Sequence, residues 1–233
     1  IYCDFSGYSD MAVGIAGLFG IRSMENFKNP YLSSNIREFW ERWHISLSGW
    51  LKDYIYIPLG GSRKGKVRTY LNLMITFLIS GIWHGANLTF LVWGALHGIY
   101  QVVYRFYKKH CKWKMPKILG VILTFSFVSL AWIFFRADSI QDALYMIRYM
   151  GYNLSPLLAY HKMGMIRQDF YLIAGSVAFL CLIDILSLKM DVIKAVDRLK
   201  APVRWSAYLL LAALIMAFHL HNGVSQQFIY FQF

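Results

Sequence analysis

Three stretches of the chain, Ile118–Phe135, Phe170–Ile185 and Trp205–Phe218, are apolar and contain almost no charge. Each approaches the roughly 20 residues that an α-helix needs to span a bilayer. Alternation of apolar and polar residues, the mark of half-buried strands, is not the dominant pattern. Only 15% of residues are charged, against roughly 25% in a soluble domain, so the chain lacks the polar surface to cover itself in water. These features predict an all-α fold, a polytopic integral membrane protein that crosses the bilayer several times. The sequence opens at Ile1 and enters an apolar run at once, as expected of the C-terminal part of a longer protein.

The formal net charge of +12 is gathered in clusters. Arg63, Lys64, Lys66 and Arg68 form the first. Arg105, Lys108, Lys109, Lys112, Lys114 and Lys117 form the second, and Lys189, Lys194, Arg198, Lys200 and Arg204 the third. Basic clusters between hydrophobic segments mark cytoplasmic loops. Topology and anionic membrane lipid explain them without nucleic acid, which is not expected as a partner. Cys3, Cys111 and Cys181 are scattered, so neither a disulfide framework nor a metal site is predicted.

Along the chain, Tyr2–Ile21 is apolar with Gly7, Gly14, Gly17 and Gly20, a composition that permits close helix packing in lipid. Asn29-Pro30 marks a break. From Ser34 to Tyr54, residues Ile36, Phe39, Trp40, Trp43, Leu47, Trp50, Leu51 and Tyr54 recur at helical spacing, with Glu38, Glu41, Arg42, Lys52 and Asp53 opposite. The spacing predicts one amphipathic helix along the membrane interface, with His44 on the border between its faces. Arg42 and Asp53 are expected to form structural ion pairs.

The next apolar run, Tyr70–Ile82, covers only about 20 Å against a hydrocarbon core of about 30 Å. It is therefore expected to stop inside the membrane at Trp83-His84-Gly85, a broken helix lining a cavity. Ala86–Tyr107, Ile118–Phe135, Phe170–Leu188 and Trp205–His221 follow as further crossings, with a short helix near Ser139–Met150. All three basic clusters then fall on one side, and the tail Phe228–Phe233 on the other. The organisation is a single helical domain over 1–233.

Of the seven histidines, His110 and His161 sit in polar loops and read as surface residues. His97 lies within an apolar helix. His219 and His221 form an H-x-H without further metal ligands in evidence. His84 stands apart as an ionisable side chain at membrane depth, and such residues are functional candidates. Kept from water, an imidazole stays neutral, the form that takes a proton from a hydroxyl nucleophile.

The run Phe39-Trp40-Glu41-Arg42-Trp43-His44-Ile45-Ser46-Leu47-Ser48, continued by Trp50-Leu51-Lys52-Asp53-Tyr54-Ile55-Tyr56-Ile57-Pro58-Leu59-Gly60-Gly61, resembles a signature of the membrane-bound O-acyltransferases. Ser80-Gly81-Ile82-Trp83-His84-Gly85-Ala86 resembles the second signature, which holds that family's catalytic histidine. The opening Tyr2–Asp10 and the ending Phe228–Phe233 are similar to the bacterial branch typified by the alginate O-acetylation membrane protein, so the resemblance runs from end to end.

The resemblance implies a ring of membrane helices around a thin central tunnel, with His84 as catalytic residue and His44 as the other signature histidine. It implies a multi-pass protein of the bacterial inner membrane that passes an acyl group, expected to be acetyl, to an extracytoplasmic polysaccharide. The donor would be a cytoplasmic thioester, acetyl-CoA or an acyl carrier protein, with no bound cofactor. An extracytoplasmic acyltransferase would be the partner, and membrane lipid the surroundings. The basic loop Arg63–Arg68 suits an anionic donor, although topology alone explains its charge. D-alanyl transfer to teichoic acid, and a conduit that moves an acyl carrier without chemistry, remain alternatives. Family members carry helices upstream that this sequence lacks.

Overall fold

The computed structural model describes residues 1–151 and 167–222. These residues are helical throughout their regular structure, with no strand among them. They fall into two compact units, one of residues 1–151 and one of residues 167–222.

The first unit is assembled on a helical hairpin. Helix α4 (Lys66–His84) and helix α5 (Leu88–His110) run antiparallel and meet along glycines. A Cβ at Gly81 would strike the Phe90 carbonyl, one at Gly94 the Phe77 carbonyl, and one at Gly98 would lie 2.7 Å from Met74 Sδ. Backbones can approach this closely only where side chains are missing. Asn87 starts α5 by accepting the Thr89 amide at 3.1 Å. Helix α6 (Lys117–Arg136) packs on α5 and sets Gly120 against the Ser34 carbonyl. Helix α7 (Ile140–Tyr149) follows, near the predicted place, capped by Ser139, which accepts the Asp142 amide at 3.1 Å.

Helix α1 (Tyr2–Leu18) carries Gly7, Gly14 and Gly17, with Gly20 just past its end. Among the described residues a Cβ at any of these four meets nothing within 4 Å. Composition identifies glycines but not what approaches them. The close contacts belong instead to Gly81, Gly94, Gly98 and Gly120.

The predicted single helix over Ser34–Tyr54 is also broken. Helix α2 covers Ile36–Arg42, α3 covers Ile45–Leu51, and a π-helical turn, Lys52–Tyr56, follows. Between α2 and α3 Trp43 is extended and His44 is left-handed, at φ 44° and ψ 57°. Such a conformation costs an L-residue with a Cβ roughly 1–2 kcal/mol. The chain just upstream offsets that cost. The Lys28 amide donates to the Arg42 carbonyl at 3.0 Å and the Ile45 amide to the Asn26 carbonyl at 3.0 Å. The Asn26 side chain accepts the Ser46 amide at 3.1 Å. Groups that a continuous helix would satisfy internally are therefore paired across the break. Periodicity persists through the break because both short helices turn their apolar faces, Phe39 and Trp40 then Leu47 and Leu51, inward.

At the start of α2, Asn35 accepts the Glu38 amide at 3.0 Å, while the Ser34 amide and hydroxyl donate to the Glu38 carboxylate at 2.7 Å each. This reciprocal arrangement is a capping box shifted by one residue. Arg42 pairs with Glu38 as expected. Asp53 is exposed and joins none of the ion pairs among the described residues. The loop before α4 turns at Gly60 and Gly61, whose φ values are 105° and 55°. Buried Asn72 holds it by donating to the Leu59 and Gly61 carbonyls at 3.2 and 2.9 Å.

The second unit contains α8 (Arg167–Ser187), α9 (Val192–Asp197) and α10 (Ala201–Asn222). Among the described residues two helices are long and apolar enough to cross a membrane, Lys117–Arg136 and Asp169–Ser187, and Ala201–Ala217 is a shorter apolar segment. Helix α4 begins earlier than the apolar run does. Its 19 residues extend about 28 Å, with Lys66 and Arg68 in its first turns. The tail 228–233 and His161 lie outside the described residues, as do the side chains of His219 and His221.

Candidate active site

His84 closes α4, and Gly85 ends the helix at φ 158°. A Cβ at Gly85 would lie 2.7 Å from the Phe90 ring. The glycine thus allows Phe90 to fold back beneath the histidine. The His84 imidazole, half-buried, meets Trp93 edge-on at 5.2 Å and Phe135 edge-on at 5.0 Å, with Phe90 at 6.3 Å. Three helices therefore hold this side chain, α4 by its backbone and α5 and α6 by their rings.

His44 occupies the left-handed break. Its ring meets Phe5 edge-on at 4.7 Å and stacks toward Phe27 at 6.5 Å. Its Nδ1 lies 3.4 Å from the Ser46 hydroxyl oxygen. That hydroxyl already donates to the Asn26 side-chain oxygen at 2.6 Å. Its oxygen is therefore left to accept, which favours the tautomer with hydrogen on Nδ1 and a free lone pair on Nε2. Burial pushes the imidazole down to about 4, so it is neutral at pH 7. A cavity of about 460 Å³ opens beside it, lined by His44, Phe5, Tyr8, Ser9 and Asn26 among others.

His44 stands near enough to His84 for a charge on one to be felt by the other. That proximity is set by the break between α2 and α3 and by the end of α4, neither of which their separation in sequence implies.

His97 has another place. It is fully buried on α5, where its Nδ1 accepts the Trp40 indole N–H at 3.2 Å. Its ring stacks with Phe39 at 6.2 Å and meets Trp93 at 4.9 Å. Trp93 thus touches both His97 and His84. His110 is exposed, a surface residue as expected, but it is the last residue of α5 rather than part of a loop, and it donates from Nδ1 to the Phe106 carbonyl at 3.0 Å. Asn26 escaped the sequence reading, and Ser46 entered it only as part of the first signature. A single polar side chain carries no periodic signal, and only the fold reveals that the two set the histidine.

Residues 1–141 match the model of the membrane-bound O-acyltransferase family. The peptidoglycan O-acetyltransferase of Helicobacter pylori is 50% identical over 153 residues, which cover 64% of this chain and 29% of that protein. A probable alginate O-acetylase of Pseudomonas syringae pv. tomato is 50% identical over 143 residues, 61% of this chain and 28% of the relative. The teichoic acid D-alanyltransferase of Bacillus subtilis is 32% identical over 149 residues, 58% of this chain and 38% of that protein. The chain thus spans less than a third of the length of the first two relatives. The similarity covers about two thirds of this chain or less, rather than its whole length, and the family match over residues 1–141 includes His44, His84 and His97.

Proposed function

The chain belongs to the membrane-bound O-acyltransferase family, and from that premise we propose that it serves in moving an acyl group, acetyl, from a cytoplasmic thioester to an extracytoplasmic polysaccharide. The observation that carries this reading is the His84 imidazole at the end of α4, set edge-on against Trp93 and Phe135. The donor is acetyl-CoA or an acyl carrier protein. The acetyl group leaves through a second, extracytoplasmic acyltransferase that modifies the polymer.

In the proposed reaction a hydroxyl acceptor meets His84, and the neutral imidazole takes its proton. The hydroxyl oxygen bonds to the thioester carbonyl carbon, the carbon–sulfur bond breaks, and the proton passes from His84 to the departing sulfur to give a thiol. Trp93, Phe90 and Phe135 hold the imidazole and keep water from competing. His44 orients the donor or carries a proton, with its Nε2 lone pair open toward its surroundings.

We place the protein in the bacterial inner membrane, with several crossings and its basic clusters in the cytoplasm. Lys66 and Arg68 then mark the cytoplasmic end of α4. Tyr70 to His84 extends about 21 Å inward, which sets His84 deeper than His44. Transfer of acetyl is favoured over D-alanyl because identity is 50% to the O-acetyl relatives and 32% to the D-alanyl one.

The test is His84→Ala in the full-length protein. Acyl transfer should be abolished while expression and membrane insertion persist, since general-base catalysis contributes about 100-fold or more. Activity within about twofold of wild type would overturn the role of His84 and favour a conduit that performs no chemistry.

A further inference from the structure

The proposed reaction leaves His97 unused. The side chain is 0% exposed, and Trp93, one turn earlier on the same face of α5, is 1% exposed. Nδ1 of His97 accepts the Trp40 indole N–H at 3.2 Å, so the ring carries its hydrogen on Nε2. Among the described residues that second N–H meets no acceptor. A buried donor left in this way costs about 1–3 kcal/mol. Phenylalanine would fill the same place without that cost, beside the near-parallel rings of Phe39 and Phe77, each centred 6.2 Å away. Packing alone therefore does not call for an imidazole here. What the imidazole adds is an acceptor that fixes the direction of the Trp40 indole.

Trp93 lies against both members of this bonded pair, its ring centred 4.9 Å from His97 and 5.9 Å from Trp40. It also stacks with Trp132 at 5.6 Å and 22°. Held in this way, Trp93 meets the His84 ring at 5.2 Å and 89°, a perpendicular contact. The plane of Trp93 thus limits how the His84 imidazole can turn. We propose that His97 is a positioning residue for acyl transfer. It locks Trp40, the two together set Trp93, and Trp93 holds the His84 imidazole in its reacting direction. The inference rests on the reading of His84 as the general base. His97 acts through Trp93 and not on the reacting atoms. Its effect falls on the rate, because a misplacement of about 1 Å can slow a reaction about 100-fold.

The experiment follows thiol release from acetyl-CoA by the full-length protein in a neutral detergent. Carbethoxylation of His84 by diethyl pyrocarbonate, mapped by mass spectrometry, is measured alongside. His97→Phe should lower kcat about tenfold or more and leave KM within about twofold. Trp40→Phe, which removes the other end of the bond, should do the same. His97→Asn returns an acceptor near the place of Nδ1 and should recover most of the loss. On a Trp93→Phe background, His97→Phe should lower kcat by less than about twofold further, whereas general damage to the fold would multiply the two losses. His84 should react about threefold faster or more in His97→Phe, because a loosened site opens more often. A kcat for His97→Phe within about twofold of wild type, or losses that multiply, would overturn the inference alone. An unchanged rate of His84 carbethoxylation would overturn it whatever the donor. Thiol release that survives His84→Ala would instead overturn the acyl-transfer reading on which the inference rests.

Discussion

The indole N–H of Trp40 donates to Nδ1 of His97 across 3.2 Å, with both side chains buried. This bond fastens the short helix α2 to the α4–α5 hairpin, and Trp93 carries the contact on to His84. Because Nδ1 accepts, the neutral His97 ring carries its hydrogen on Nε2. Trp40→Phe keeps most of the packing but strands a buried acceptor, which costs about 1–3 kcal/mol. Unfolding of the full-length variant in detergent should show that loss. A stability equal to wild type would mean that the bond does not hold the two elements together.

His44 combines a ring that lines a cavity with a backbone that few residues adopt. His44→Gly and His44→Ala both remove the ring, but only glycine takes the left-handed conformation without strain. The glycine variant should therefore be more stable by about 1 kcal/mol, while acyl transfer falls alike in both. Equal stabilities would show that the break relaxes when the imidazole is removed. Retained activity in the glycine variant alone would assign the function to the backbone turn rather than to the ring.

Two glycines on different helices should respond in opposite directions to alanine. At Gly94 the added methyl meets the Phe77 carbonyl, so the hairpin must open. Overpacking of this kind typically costs about 1–3 kcal/mol. At Gly14 the methyl meets nothing within 4 Å, and helix propensity favours alanine by about 1 kcal/mol. Thermal unfolding of Gly94→Ala and Gly14→Ala, side by side, reads both. A Gly94→Ala protein as stable as wild type would contradict the close packing of α4 on α5.

The Glu38 carboxylate links stability to acid. Burial pushes its pKa up, but the Ser34 hydroxyl and amide and the charges of Arg42 and Lys117 outweigh that and hold it below the ordinary 4.5. A group depressed on folding stabilises the protein above its unfolded pKa and loses that contribution as pH falls through its folded pKa. The melting temperature should therefore drop on acidification below pH 4.5, and Glu38→Gln should show a smaller drop. Parallel profiles for the two proteins would rule out this carboxylate as a source of the acid sensitivity.

Much of the helical order was legible in the residues themselves. The uncharged runs mark α6 and α8 because a helix in lipid must present apolar side chains around its circumference. Ser139 before an apolar segment marks α7, since the cap and the helix are adjacent in sequence. The signatures around His44 and His84 were equally visible, and with them the family. All of these are local properties, set by neighbours within a few residues.

The break at His44 was decided elsewhere. A helical periodicity runs through Ser34–Tyr54, and nothing in those residues interrupts it. The interruption is stabilised by Asn26 and Lys28, whose backbone and side-chain groups reach the chain on both sides of Trp43 and His44. Likewise, glycine content is visible in α1 and α5 alike, but only in α5 does another backbone arrive to need the space. By itself the sequence determined the helices, their polarity and the two signature histidines, because hydrophobic spacing and capping act over short distances. The approach of His44 to within electrostatic reach of His84, and the burial of His97 against Trp40, required the tertiary structure, because those partners come from segments that only packing brings together.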